Sequence, residues 1–302
     1  MPGKLNRREF ITRSVGAGAG SIVLGKSVLD IDQPAVSSVK DPLHKVSLGN
    51  TGITTSFLGM GTGFNGWNRS SNITRAGVAE SLIRQAYEKG IRFFDCADTY
   101  GTHKYAAAGL KNFPREKYTL VTKMWTGQGG LPEPDRPDAA ITVDRFRKEL
   151  NTDYIDLVQL HCLTDGKWTD SQKSFMDSLE NLKARNIIRA HGVSVHSLEA
   201  MKAAAESDWV DVIHVRINPY GEAMDSNNPD EIIPVIRKMH ESGKGIIGMK
   251  LIGNGNFRDD SEKIDNSLRF VLSLGTVDMI TVGFEKPEQI DNYLLRINNA
   301  IV

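Results

Sequence analysis

The chain has 302 residues, of which 40% are hydrophobic and 25% are charged, so its composition is ordinary for a globular protein. Its 37 Lys and Arg residues balance its 37 Asp and Glu residues, which excludes a general electrostatic attraction to nucleic acid or anionic lipid. No apolar run reaches the ~18 residues of a membrane-spanning helix, and two cysteines are too few for a disulfide framework or a zinc knuckle.

The first 43 residues are predicted to lie outside the folded domain. Two arginines, Arg7 and Arg8, precede a mildly apolar run from Ser14 to Leu24 that is rich in glycine and alanine. This order is typical of a twin-arginine export signal and predicts a periplasmic or other extracytoplasmic location; the alternative is a disordered basic tail. The stretch from Ser27 to Leu43 is predicted to be a linker, so that the folded domain spans residues 44–302.

From Val46 onward, short apolar strands alternate with amphipathic helices. A hairpin with strands Val46–Leu48 and Thr54–Phe57 is predicted first, around a turn rich in Asn and Gly. Eight strands are predicted after it: Leu58–Gly61, Arg92–Asp95, Thr119–Lys123, Ile155–His161, Ala190–Ser194, Val212–Ile217, Gly245–Lys250 and Met279–Val282. The predicted helices include Val78–Lys89, Ser171–Arg185, Leu198–Glu206, Asp230–Ser242, Ser261–Ser273 and a last one that begins near Pro287.

The number and spacing of these units indicate a closed barrel. Eight β/α units in roughly 260 residues match the size of a (β/α)8 or TIM barrel. An open, doubly wound sheet would usually carry Gly-x-Gly-x-x-Gly after its first strand. Here that strand leads into Gly59-Met-Gly-Thr-Gly63, which lacks this spacing. We therefore predict the α/β class, with a (β/α)8 barrel preceded by a short β-hairpin.

Polar residues end three successive strands of the predicted barrel. The stretch Gly90 to Gly101 begins apolar and ends polar, with Asp95 at the end of its strand and Tyr100 shortly after; the next two strands end at Lys123 and His161. Each residue alone has an ordinary explanation, such as a helix cap, a surface lysine or a buried histidine. Because barrel active sites lie at the carboxyl ends of the strands, the four together predict a catalytic site.

These four residues resemble the catalytic tetrad of the aldo-keto reductases. The segment Asp95-Cys-Ala-Asp-Thr-Tyr-Gly101 is similar to the family's Asp-x-Ala-x-x-Tyr-Gly motif, and the resemblance extends from Val46 to about Asn299. It implies an enzyme, an NAD(P)-dependent oxidoreductase that reduces an aldehyde, ketone or sugar to an alcohol, or catalyses the reverse reaction.

The resemblance also implies a role for each member of the tetrad. Tyr100 is the expected general acid and base, and Lys123 is expected to lower the pKa of its phenol. Asp95 is expected to keep Lys123 charged and oriented. His161 is expected to position the carbonyl oxygen.

A nicotinamide cofactor, NADP or NAD, is implied as well. The implied cofactor-binding residues are Gly61, Thr62, Ser194, His214, Met249, Lys250, Leu251, Gly253, Gly283, Lys286 and Gln289. Several positions depart from the family pattern. Val195 replaces a usual Asn, His214 a usual Gln, Ile217 a frequent Tyr, Met249 an aromatic residue of many members, and Gln289 an Arg common in members that prefer NADPH. An arginine guanidinium is well suited to bind the 2′-phosphate of NADP. Because Gln289 lacks this group, the choice between NAD and NADP stays open, with a slight preference for NADP because it is the more usual cofactor of the family.

The substrate is expected to be a small carbonyl compound or sugar that contacts Trp125 on a pocket loop, with Trp67 on the loop after the first barrel strand. Either tryptophan could instead cap the barrel without touching substrate. Cys96 and Cys162 each follow a catalytic residue, so their side chains are expected to point away from the site as buried thiols. No metal site, nucleic-acid partner or oligomeric state is predicted.

Two alternatives to a reductase with an exchangeable cofactor are open at this point. The first is a barrel that keeps its cofactor bound and recycles it internally, which would suit an exported enzyme. The second is a non-catalytic homologue with a binding or regulatory role.

Overall fold

The computed structural model of the chain describes residues 39–301. Two short strands, β1 (Lys45–Ser47) and β2 (Thr54–Ser56), pair in antiparallel fashion. Eight further strands pair in parallel and close into a barrel: β3 (Leu58–Gly61), β4 (Phe93–Asp95), β5 (Thr119–Met124), β6 (Ile155–Leu163), β7 (Ile188–Val195), β8 (Val212–Arg216), β9 (Gly245–Met249) and β10 (Met279–Gly283). The predicted barrel with its preceding hairpin is therefore confirmed.

Helices follow each barrel strand and cover the outside of the barrel. They are α1 (Asn72–Arg75), α2 (Ala79–Glu88), α3 (His103–Leu110), α4 (Ala139–Leu150), α5 (Trp168–Ser171), α6 (Lys173–Ala184), α7 (Leu198–Glu206), α8 (Pro229–Glu241), α9 (Ser261–Leu274) and α10 (Pro287–Ile301). The helix predicted from Ser171 to Arg185 is observed as α6, and the short helix α5 precedes it across Gln172. No helix among residues 39–301 is long and apolar enough to cross a membrane.

The strands are apolar on both faces because the barrel interior and the helix layer each bury one of them. In β4, Phe93 and Phe94 are both fully buried although they point to opposite faces. Helix α2 buries Leu82, Ile83 and Ala86 against the barrel. Burial of each large apolar side chain contributes about 1.5–3 kcal/mol, so the strand and helix patterns together specify which face of each element packs inward.

The segment before the hairpin lies against the amino ends of the barrel strands. The backbone N–H of Leu58, the first residue of β3, donates to the carbonyl of Pro42 at 2.9 Å. Val39 is 7% exposed, and Leu43 packs against the core. Residues 39–43 thus belong to the packed domain rather than to the predicted linker. Arg7, Arg8 and the run from Ser14 to Leu24 lie outside the described residues.

Candidate active site

The structure brings Asp95, Tyr100, Lys123 and His161 together at the carboxyl end of the barrel. Asp95 ends β4, Lys123 and His161 lie near the ends of β5 and β6, and Tyr100 closes a 3-10 turn, Asp98–Tyr100. The Lys123 ammonium donates to the Asp95 carboxylate, and also to the Cys96 carbonyl at 3.3 Å. The Tyr100 hydroxyl lies 3.4 Å from Nε2 of His161.

Burial determines the charges in this cluster. Burial and the Asp95 carboxylate hold the pKa of Tyr100 well above 10, so the phenol keeps its proton at neutral pH. Burial and the Lys123 ammonium hold the pKa of His161 well below 6.5, so the imidazole is neutral. The predicted lowering of the Tyr100 pKa by Lys123 is wrong for this arrangement. The Lys123 ammonium is paired with Asp95 and lies 5.3 Å from the centre of the Tyr100 ring.

Glycines make room for the tyrosine. A Cβ atom at Gly63 would lie 2.2 Å from the Tyr100 ring, and one at Gly66 would lie 2.4 Å from it. Gly101 has a φ of +64°, and a Cβ there would lie 2.0 Å from the Arg69 carbonyl oxygen. The glycine-rich segment after β3 therefore serves the close approach of the backbone to Tyr100.

Two arginines hold the turn that carries Tyr100. Asp98 is 2% exposed and accepts hydrogen bonds from Arg69 Nε at 3.1 Å and from both terminal nitrogens of Arg145 at 3.0 and 2.6 Å. Arg69 also donates to Glu133, on the loop after β5, at 2.6 Å. Because these partners come from three separate segments, they fix the position of the turn relative to the surrounding loops.

Two clefts meet at Tyr100. The smaller, of about 160 Å³, leads past Gly61 and Gly283 to Gln289 at the start of α10. The larger, of about 900 Å³, is lined by Trp125, His161 and other side chains of the loops, and its size is typical of small-molecule sites. Tyr100, Met249 and Lys250 line both clefts.

The family model described as the aldo/keto reductase family matches residues 57–270, most of the chain. The chain belongs to the aldo/keto reductase family.

Individual relatives agree with this assignment. A crystal structure assigned to the aldo-keto reductases, from Pseudomonas aeruginosa, is 27% identical with a TM-score of 0.68, and the match covers 87% of this chain and 98% of that one. The NADH-specific methylglyoxal reductase of Escherichia coli is 26% identical, over 65% of this chain and 64% of the relative. The D-arabinose 1-dehydrogenase of Saccharomyces cerevisiae is 31% identical, over 42% of this chain and 39% of the relative. The chain thus spans less than two thirds of the length of these two curated relatives.

Most of the residues predicted to bind the cofactor of this aldo/keto reductase do lie in the clefts. Six line the smaller cleft: Gly61, Met249, Lys250, Leu251, Gly283 and Gln289. Ser194 lines the larger cleft, as does Trp125, the residue predicted to contact substrate. Trp125 packs edge-to-face against Trp67 and His161, with ring centres 5.3 and 5.7 Å apart.

Four of the predicted cofactor residues line neither cleft: Thr62, His214, Gly253 and Lys286. The hydroxyl of Thr62 is already used, since it donates to the Asp95 carbonyl at 2.8 Å. Gly253 is buried, and the backbone N–H of Lys286 donates to the Gln289 side chain at 3.1 Å. The role of these four residues in cofactor binding stays a prediction.

His214 lies inside the barrel, beneath the tetrad, because another buried polar side chain holds it there. Its Nδ1 is 2.7 Å from Oε1 of Gln159, whose amide nitrogen donates to the Val212 carbonyl at 3.1 Å. Gln159 therefore presents its acceptor, and Nδ1 of His214 must carry the proton. Nε2 of His214 is 3.7 Å from the Asp95 carboxylate.

The prediction for Cys162 is wrong, although Cys96 is buried as expected. Strand β6 has one more residue than β7 between the pairs Leu160–Val193 and Leu163–Val195, which is a β-bulge. The bulge interrupts the alternation of side chains, so Cys162 lines the larger cleft beside His161. Its Sγ lies 3.5 Å from Nε2 of His196, and burial raises the pKa of the thiol to about 11.

Sequence reasoning missed several cleft residues. Phe64 and Arg258 line the smaller cleft, His196 lines the larger, and Asn254 lines both. Phe64 directly follows the glycine-rich segment, and His196 directly follows Val195. Their position next to residues already assigned to the site was the one signal in the sequence that pointed to them. Arg258 lies on a loop and had no such signal.

Proposed function

We propose that this aldo/keto reductase transfers hydride between a nicotinamide cofactor and a small carbonyl compound, with Tyr100 as the general acid and base. The supporting observation is that the Tyr100 hydroxyl, 3.4 Å from His161, stands where the smaller cleft, lined by glycines and by cationic side chains, meets the larger cleft.

The residues of the smaller cleft fit a dinucleotide. Its floor includes Gly61 and Gly283, where the absent side chains let a ligand approach the backbone. Met249 offers a polarisable apolar surface for the nicotinamide ring. Lys250 and Arg258 provide positive charge for the phosphates. When bound, the nicotinamide supplies hydride to the carbonyl carbon, or accepts it in the reverse reaction.

The tetrad supplies the proton and the electrostatic support for that reaction. A reduced carbonyl develops negative charge on oxygen, and the protonated Tyr100 hydroxyl donates to that oxygen. His161, neutral at pH 7, anchors the same oxygen with its ring N–H. Lys123, held by Asp95, lies with its Nζ 5.3 Å from the centre of the Tyr100 ring, so that an ion pair borders the phenol.

The larger cleft accommodates an aldehyde, a ketone or a sugar. Trp67 and Trp125 present aromatic surface, while Asn65, Thr164 and Asp165 offer polar groups. A methylglyoxal reductase and a D-arabinose dehydrogenase among the relatives act on compounds of these classes, as their names state.

The test is nucleotide titration followed by a substrate screen. The purified protein is titrated with NADP(H) and NAD(H), and then assayed with methylglyoxal, simple ketones and aldopentoses. Tyr100→Phe is expected to retain nucleotide binding and to lower kcat by about 10²–10⁴. Near-full turnover by Tyr100→Phe would overturn the assignment. Absence of turnover with every substrate, despite an intact fold, would favour a non-catalytic homologue.

We also propose that Arg7 and Arg8 belong to a twin-arginine export signal, so that the enzyme works outside the cytoplasm. The support is the order of charged and apolar residues in the chain. Substitution of both arginines by lysine is expected to retain the protein in the cytoplasm on cell fractionation; unchanged export would contradict the proposal.

A cofactor that remains bound to the purified protein through gel filtration would favour internal recycling of the cofactor over exchange with free nucleotide.

A further inference from the structure

Lys250 is a partly buried lysine in the clefts that no carboxylate neutralises. It follows β9 with a φ of +60° and lines both clefts. Its Nζ donates to the neutral side-chain oxygen of Asn254 at 2.5 Å. Among residues 39–301 it forms no ion pair, whereas Lys123, the other lysine of the larger cleft, is paired with Asp95.

The charged and titratable groups around Lys250 come from four strands. Burial lowers the pKa of Lys250, and Arg216 on β8 and Lys123 on β5 lower it further. Cys162 on β6 and Asp95 on β4 act in the opposite direction, but Asp95 is engaged by Lys123 and the Cys162 thiol is protonated at neutral pH. Together these contributions lower the pKa of Lys250 below that of an ordinary lysine, so a larger fraction of its side chain is free amine at neutral pH.

A neutral amine in a cleft that binds carbonyl compounds is a nucleophile. Desolvation and a neighbouring cation are the two means by which proteins activate lysine for attack on carbonyl carbon. Lys123 differs from Lys250 in its contacts, because its nitrogen is engaged by the Asp95 carboxylate and the Cys96 carbonyl.

We propose that Lys250 captures small aldehydes in the larger cleft as an imine. The amine nitrogen forms a bond to the aldehyde carbon, and a proton passes from nitrogen to oxygen to give a carbinolamine. The C–O bond then breaks, one proton is taken up from solution, and water leaves, so that a protonated imine remains. No oxidant or reductant takes part. The inference rests on the proposed function only in placing a carbonyl compound in this cleft.

Reductive trapping without nucleotide tests the proposal. The protein is incubated at pH 7.5 with propionaldehyde and cyanoborohydride, digested, and analysed by mass spectrometry for propylated lysines. Each pH unit by which a lysine pKa falls raises the fraction of free amine about tenfold. Lys250 is therefore expected to be labelled several-fold faster than Lys111, an exposed lysine after α3, while Lys123 is labelled more slowly than Lys250.

Variants separate this inference from the proposed function. Lys250→Arg keeps the positive charge and is expected to lose the fast label while Lys111 is labelled as before. Tyr100→Phe is expected to lose hydride transfer and to keep the label on Lys250. Labelling of Lys250 no faster than that of Lys111 would overturn the imine proposal, whatever the reductase assay shows. Fast labelling in a protein without reductase activity would uphold it and refute only the proposed function.

Discussion

Tyr100 and His161 are both neutral at pH 7, although they belong to a cluster that contains an ammonium and a carboxylate. Burial is the first cause for each: it raises the pKa of the phenol and lowers the pKa of the imidazole. The site therefore enters the reduction with its donor protonated and its anchoring imidazole uncharged.

This arrangement predicts the pH dependence of the reaction. Between about pH 6 and pH 9 neither group changes its protonation state, because the Tyr100 pKa lies above that range and the His161 pKa lies below it. The kcat for reduction is expected to be flat across the range, whereas alcohol oxidation, which needs a base, is expected to rise with pH. Steady-state kcat measured in both directions checks this. A loss of reduction with a midpoint near pH 6.5 would show that His161 is charged in the working enzyme.

The tetrad could be predicted from the sequence because each member lies at or just after the carboxyl end of a strand, and parallel strands deliver these ends to one face. The orientation of the Cys162 side chain could not be predicted, since a bulge of one residue in β6 changes which side chains point into the cleft. The position of His214 beneath the tetrad could not be predicted either, because it depends on a hydrogen bond to Gln159, 55 residues away in the chain.

At the scale of elements, two loops close over the larger cleft as one unit. The loop after β3 and the loop after β5 are joined by a backbone hydrogen bond from Asn68 to Gly130 at 3.0 Å, by the Trp67–Trp125 contact and by the Arg69–Glu133 ion pair. Because Arg69 also binds Asp98, the same side chain connects these loops to the turn that carries Tyr100.

Arg69→Met is therefore expected to affect substrate binding more than chemistry. In this variant Asp98 retains its hydrogen bonds to Arg145, so the turn that carries Tyr100 stays in position. The two loops, however, lose the ion pair that connects them. We expect KM to rise severalfold with a smaller fall in kcat. Arg75→Met is the matched control, because Arg75 lies nearby on α1 and its side-chain hydrogen bonds within residues 39–301 go to the loop itself and to Asn72. Equal kinetic effects of the two substitutions would contradict this role.

The start of helix α10 is capped by a side chain from within the helix. Oε1 of Gln289 accepts from the backbone N–H groups of Glu285 and Lys286 at 2.7 and 3.1 Å. Replacement by alanine is expected to cost about 0.5–2 kcal/mol of stability, as for other lost helix caps. Urea denaturation of Gln289→Ala measures this, and an unchanged midpoint would show that the cap contributes little.

The same position tests the choice between NAD and NADP. Gln289 lines the smaller cleft, and an arginine there would offer a guanidinium to a 2′-phosphate. Gln289→Arg is expected to strengthen NADP(H) binding relative to NAD(H) by about tenfold, the effect of one charged hydrogen bond. Fluorescence titration with both cofactors checks the ratio, with Gln289→Ala as the control for loss of the cap. An unchanged ratio would place the adenosine end of the cofactor elsewhere.

The elements themselves were largely predictable. All eight barrel strands lie within a few residues of their predicted bounds, because buried parallel strands read as short apolar runs between loops. The short helix α5 was not predicted, because four residues are too few to show a helical period of apolar residues. The packing of Val39 and Leu43 depends on contacts with the barrel that no local pattern reveals.

For the whole molecule, buried histidines predict sensitivity to acid. Burial lowers the pKa of His161, His196 and His214, in the case of His196 to about 3. The unfolded chain binds protons at these sites below about pH 6.5 and the folded chain does not, so stability falls as pH falls from 6.5 towards 3. Each histidine contributes a slope of at most about 1.4 kcal/mol per pH unit.

Buried carboxyls with raised pKa values, such as Asp225 and Asp278, oppose this trend by binding protons more readily when folded. We expect the histidines to dominate above about pH 5, so the urea midpoint should fall between pH 7.5 and pH 5.5. His196→Asn should make that fall shallower. A midpoint that rises on acidification would mean that the carboxyls dominate.

The segment from Val39 to Leu43 lies at the amino ends of the barrel strands, and both clefts open at their carboxyl ends. The two ends of a barrel point in opposite directions. If the protein is fixed to a solid support through the chain that precedes Val39, the end of the barrel that carries both clefts will therefore face the solution. That orientation makes this end of the chain the natural place for an affinity handle or a fluorophore.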